Sequence, residues 1–103
     1  MNKKKQKHTD YQEWLMGELK DPKLALAYLN EALKDKDERV FLMAMKDVLE
    51  ARGDDFSAIA EQADLNRQNL YKMLSKTGNP RWNSLTSVLK VLDLEVNLSY
   101  RHR

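Results

Sequence analysis

Along most of this chain apolar residues return every three or four positions with polar residues between them, the signature of short amphipathic helices. Tyr11, Trp14, Leu15 and Leu19 form the first set, with Asp10 reading as its cap and Glu13 reaching back. Asp21-Pro22 opens a second helix, to about Lys34, with Leu24, Tyr28, Leu29, Ala32 and Leu33 on one side. Asp37 opens a third, whose inward set is Val40, Phe41, Ala44, Met45, Val48 and Leu49, and Arg52-Gly53 closes it. A fourth helix, capped by Asp54 or Asp55, carries Ile59, Ala60 and Ala63; a fifth carries Leu70, Met73 and Leu74. Thr77-Gly78-Asn79-Pro80 is a loop. After it Asn83 caps a last helix that buries Leu85, Val88, Leu89 and Leu92. The period then drops to two, as Leu94, Val96, Leu98 and Tyr100 alternate with Glu95, Asn97 and Ser99 in the pattern of a half-buried strand.

These elements predict a mainly α fold of five to six short helices with one C-terminal β-strand. A single strand has no ladder partner in its own chain. A second copy supplies one, so Leu94, Val96, Leu98 and Tyr100 are candidate dimer contacts and a homodimer is expected. The alternative is a terminal segment lying along its own domain.

Residues 56–75 carry the most specific signal. Two short amphipathic helices are separated by a break at Asp64–Asn66, with small Ala60 where they come closest and Leu65 pinning the turn. That is a helix-turn-helix core, and the arrangement resembles the lambda-repressor-like class. Glycine often holds the turn position occupied by Asp64; aspartate is among the few other residues that tolerate a left-handed backbone. The second helix starts with Arg67, Gln68 and Asn69 and continues to Lys72. Those side chains can bond guanine, adenine and phosphate in a major groove. Arg67 is the candidate for guanine and Gln68 for adenine; Asn66 reads as the cap, and Lys72 reaches a base or a phosphate. Ser57, Lys76 and Arg81 are candidate backbone contacts. Trp82 is expected to pack under the loop.

Charge distribution sharpens this. The chain has 103 residues and a net charge of only +2. Yet residues 65–92 contain Arg67, Lys72, Lys76, Arg81 and Lys90 and no acid, whereas residues 21–64 carry a net −5. An acid-free stretch that begins at the recognition helix is the footprint of a surface facing phosphates. Enzyme chemistry lacks its parts. There is no Cys, the two His are the near-terminal His8 and His102, and three scattered Gly make no phosphate loop. The carboxylates fall at helix starts or on polar faces, with no metal spacing. No enzymatic activity, cofactor or metal is expected. No apolar run approaches the roughly 18 residues of a membrane span and no secretion signal is visible, so a cytoplasmic location is expected.

The chain divides into a disordered basic arm (1–9), N-terminal helices (10–35) and a DNA-binding part with the strand (36–103). Over about residues 10–100 it resembles the antidote (antitoxin) proteins of prophage- and plasmid-borne addiction modules, the HigA-like helix-turn-helix proteins paired with RelE-type toxins. The resemblance is carried by Ala27-Tyr28-Leu29-Asn30-Glu31-Ala32-Leu33, by Phe41-Leu42, and by Asn66-Arg67-Gln68-Asn69-Leu70-Tyr71-Lys72-Met73-Leu74. Gly78-Asn79-Pro80-Arg81-Trp82 and the closing run from Leu85 to Leu94 complete it. The family often has Gly where Asp64 and Asp93 stand. The resemblance implies a double role, holding a basic mRNA-cutting toxin inactive and repressing the protein's own operon; two recognition helices in a dimer make an inverted-repeat operator the expectation. Tyr11, Trp14, Leu15 and Leu19, together with the acidic middle, are then candidates for toxin contact; the alternative is that they cover the protein's own core. A stand-alone prophage repressor without a toxin partner would carry the same DNA-binding motif.

Overall fold

A computed structural model describes the backbone of residues 3–101 and the side chains of residues 10–101. Its six helices are α1 (Lys3–Glu18), α2 (Pro22–Leu33), α3 (Glu38–Arg52), α4 (Phe56–Gln62), α5 (Arg67–Met73) and α6 (Trp82–Val91). Helices α1 and α2 pack on α3, and α4 packs on α5 and α6. Helix α3 is central, with Met45 and Leu49 fully buried. Ile59, Leu70, Leu74 and Val88 complete the innermost layer from the other half. No side-chain polar atom is buried without a hydrogen bond among the described residues.

Local chemistry sets most boundaries. Asp21, Asp37 and Asp55 each accept a hydrogen bond from the backbone N–H two residues on, and Pro22 follows Asp21 at the first helical position. Asn66 caps α5 through the N–H of Asn69 at 2.7 Å. Each such cap contributes about 1 kcal/mol. Gly53 ends α3 in the left-handed region at φ 76°.

Two helix starts differ from expectation. Helix α1 begins at Lys3, inside the stretch read as an arm, and Asp10 lies within the helix instead of capping it. Nothing between Lys3 and Thr9 breaks a helix, and Lys and Gln are good helix formers. Met1 and Asn2 lie outside the described residues. Helix α6 begins at Trp82, capped by the backbone of Arg81 without a side-chain bond, so Asn83 is not the cap. Trp82 is 65% exposed, not packed under the loop. It stands one turn before Leu85, where the core contacts of α6 begin.

The C-terminal strand is also absent among the described residues. Residues 94–101 carry no regular structure, since no neighbouring strand supplies a ladder. Leu94 packs partly on the core, but Val96, Leu98 and Tyr100 stand in solvent. Three residues of the expected inward sets point outward as well: Leu24 and Leu33 are exposed because α2 buries Ala25 and Leu29 instead, and Val40 because α3 buries the face that starts at Phe41 and Leu42.

Candidate nucleic-acid interface

Helix α4 ends in a hydrogen-bonded turn that aims α5. The Leu65 N–H reaches back to the Ala60 carbonyl at 2.8 Å, and the Asp64 N–H to that of Glu61 at 3.1 Å. This paired closure needs a left-handed residue between, and Asp64 takes it at φ 58°. The same closure ends α6, where Asp93 lies at φ 59° and the Leu94 N–H bonds the Leu89 carbonyl. Both turns, at Asp64 and at Asp93, are therefore left-handed and closed by aspartate.

Beyond the turn, Leu70, Met73 and Leu74 bury one side of α5. The other side is exposed and consists of Arg67, Gln68, Asn69, Tyr71 and Lys72. None of its cations takes part in an ion pair among the described residues. The Arg67 guanidinium sits 5.2 Å from the centre of the Tyr71 ring and donates weakly to its hydroxyl at 3.4 Å. Tyr71 in turn stacks on Phe56, ring centres 5.0 Å apart, which ties the arginine to the start of α4. This support was not anticipated from the sequence, although Tyr71 stands four residues after Arg67, the spacing of helical neighbours.

A cleft of about 660 Å³ adjoins this face, between α5 and the loop leading into α6. Lys72 and Arg81 bring charge to it; Asn69, Thr77, Asn79 and Ser84 bring neutral donors, and no acid lines it. The loop is held close. Ser75 Oγ donates to the Lys72 carbonyl at 2.7 Å, and Gly78 lies so near the end of α5 that a side chain there would run into the Met73 carbonyl. Lys76 is exposed on the same loop but does not line the cleft. Among the candidates, Asn66 has its side-chain oxygen occupied by capping. Ser57 is exposed, yet its N–H is already bonded to the Asp55 carboxylate, which puts negative charge at the start of α4.

The candidate toxin contacts separate into two classes. Leu15 and Leu19 are core residues, 7% and 3% exposed, and are out of reach of a partner. They form the inner edge of the α1 stripe, which packs on α3. Tyr11 and Trp14 form the outer edge; both are more than half exposed, with ring centres 5.9 Å apart.

Among the described residues no three His, Cys, Asp or Glu side chains form a metal-holding group, and no helix is long and apolar enough to cross a membrane.

No solved structure matches this chain. An uncharacterised protein of Haemophilus influenzae is 41% identical over 68 residues, covering 66% of this chain and 68% of that protein. The family model described as probable addiction module antidote protein matches residues 10–100, the whole of the six-helix fold except the first part of α1. With nearly its full length matched, the chain belongs to that family of addiction-module antidotes.

Proposed function

We propose that the protein is a HigA-like antitoxin that binds duplex DNA through α4 and α5 as a helix-turn-helix, represses its own operon and neutralises a RelE-type toxin. One observation carries the DNA-binding part: Arg67, Gln68, Asn69 and Lys72 form an exposed row on α5 that, among the described residues, is free of ion pairs and lies beside a cleft lined by no acid. In this reading the first turn of α5 enters the major groove, with Arg67 on guanine and Gln68 on adenine. Lys72, Lys76 and Arg81 grip the flanking phosphates, joined by Asn79 and Ser84 of the cleft and by the Ser57 hydroxyl. The protein works as a regulator without catalytic chemistry, in the cytoplasm, where its operon lies.

Dimerisation rests on the exposed row Val96, Leu98 and Tyr100, which a second copy would cover. A two-fold dimer presents two α5 helices, so the operator is an inverted repeat with half-sites roughly 34 Å apart. Nuclease footprinting on the DNA upstream of the gene tests this reading. It gives two symmetric protected segments one helical turn apart; a single or asymmetric footprint contradicts the dimeric geometry, and no footprint contradicts DNA binding.

Membership of the antidote family supports the toxin partner over the stand-alone repressor. Tyr11 and Trp14 supply exposed aromatic surface for that partner, of the residue kinds enriched where proteins dock.

A further inference from the structure

A groove of about 650 Å³ runs between α2 and α3, on elements that contribute nothing to the DNA face. Val40 and Met43 border it from α3 and Tyr28 and Ala32 from α2, at three- and four-residue spacings that align them along the groove. Val40 is 38% and Met43 45% exposed, although α3 buries seven other residues. The rim is acidic. Glu31, Asp35 and Asp47 line it, and the one cation there among the described residues, Lys34, is paired with Glu31 at 3.3 Å. The Tyr28 hydroxyl donates to Asp47 Oδ2 at 2.6 Å, which fastens the two helices and leaves Oδ1 without a hydrogen bond among the described residues. Burial, then the Asp47 hydrogen bond and charge, and last the nearby Tyr11 push the Tyr28 phenol above its ordinary pKa.

The geometry points to this groove as the docking site for a basic, amphipathic segment of the toxin, its apolar side chains on Val40 and Met43 and its Lys or Arg side chains on Glu31, Asp35 and Asp47. This rests on the antitoxin reading above. The charge selects the occupant. Acidic rims repel DNA, and two copies of the chain meeting groove to groove would bring like charges together. A protein that cuts mRNA must carry the opposite sign to hold its substrate. An apolar floor between charged rims is the usual receptor for an amphipathic helix.

The test co-expresses the full chain with the product of the reading frame adjoining its gene, the probe, and measures affinity by titration calorimetry. Wild type binds the probe. Met43→Lys and the double variant Glu31→Lys/Asp35→Lys each weaken it roughly tenfold or more, as loss of a central contact does, while DNA binding by the same samples is unchanged. Arg67→Ala keeps full affinity for the probe. If both groove variants bind like wild type, the groove assignment falls and the antitoxin reading survives. If wild type binds no probe, both fall, and the footprint separately decides the DNA-binding part. If Met43→Lys alters the mass of the free chain in solution, the groove belongs to a second copy and the proposal falls. Should the variants fail to fold, amide exchange on the wild-type complex decides. Protection at residues 28–35 and 40–47 supports the groove, and its absence overturns it.

Discussion

A methyl group added at position 78 would lie within 2.9 Å of the Lys72 carbonyl oxygen and closer still to that of Met73. Both atoms belong to the backbone of the last turn of α5, so no side chain can rotate out of the way. Relief requires the loop to move off the helix, carrying Lys76 and Arg81 with it. Overpacking of this kind costs about 1–3 kcal/mol, and an obstacle made of backbone puts Gly78→Ala in the upper half of that range. For a chain near this size each kcal/mol lowers the melting temperature by about 4–8 °C. The other two glycines are internal controls. A Cβ at Gly53 meets nothing within 4 Å, but φ 76° makes it strained, so Gly53→Ala loses about 1 kcal/mol. Gly17 lies in α1 with open space around it, so Gly17→Ala gains about 0.5 kcal/mol of helix propensity. Thermal unfolding followed by circular dichroism should order the melting temperatures as G17A, wild type, G53A, G78A. Binding to upstream DNA should be weakened only in G78A, whose loop bearing Lys76 and Arg81 has shifted. A G78A protein that melts with wild type, or binds DNA as well, would refute the packing of the loop against α5.

Asp64→Gly and Asp93→Gly should each stabilise the protein by about 0.5–1 kcal/mol in denaturant unfolding, since each removes a left-handed aspartate and a carboxylate at a helix C-terminus. The gain is trimmed by the greater freedom of glycine in the unfolded chain; a loss of stability would contradict the turn geometry. Because the folded state holds the Tyr28 phenol protonated above its unfolded pKa, its contribution is present below about pH 10 and fades as pH rises beyond it. Absorbance titration should show a tyrosine component ionising above the usual phenol range, and Tyr28→Phe should remove it. Asp37 behaves in the opposite sense. The Arg39 side chain, then its backbone N–H, hold the carboxyl below its usual range, so this exposed contact persists above pH 3.8 and is lost as pH falls further. Leu15→Ala should cost about 2–5 kcal/mol of stability, whereas Trp14→Ala should leave unfolding nearly unchanged and impair toxin neutralisation in a growth assay. The reverse pattern would show the two faces of α1 to be misassigned.

The parts of the fold legible in the sequence were those written in short-range chemistry. Asp21, Asp37, Asn66 and Gly53 each announce a helix end because the bond or backbone angle involved spans only two or three residues. Asp10 and Asn83 carry the same chemical signal without the cap, since nothing before Asp10 stops a helix and the turn into α6 closes two residues earlier. Position on a helix face was less legible. Leu24, Leu33 and Val40 fit an apolar stripe, but apolar character does not guarantee burial. On α1 the boundary between covered and open surface falls inside one stripe, between Leu15 and Trp14, and is set by where α3 lies. At the candidate interface Arg67, Gln68, Asn69 and Lys72 could be placed on one face from helical period alone. Thr77, Asn79 and Ser84 could not, because the cleft exists only once the loop folds back on α5.

The most direct test of the central claim is the affinity of the protein for the DNA upstream of its gene, measured by fluorescence anisotropy from 50 to 200 mM salt for wild type, R67A and K76A. Wild-type affinity should fall by several orders of magnitude over that range if about 6–10 phosphates are contacted. R67A should lose roughly 1–3 kcal/mol and relax preference at one base pair; K76A should weaken all sequences alike and flatten the salt dependence by about one unit. Binding that ignores salt, or an R67A protein that binds the same site with wild-type affinity and selectivity, would contradict the placement of α5 in the major groove.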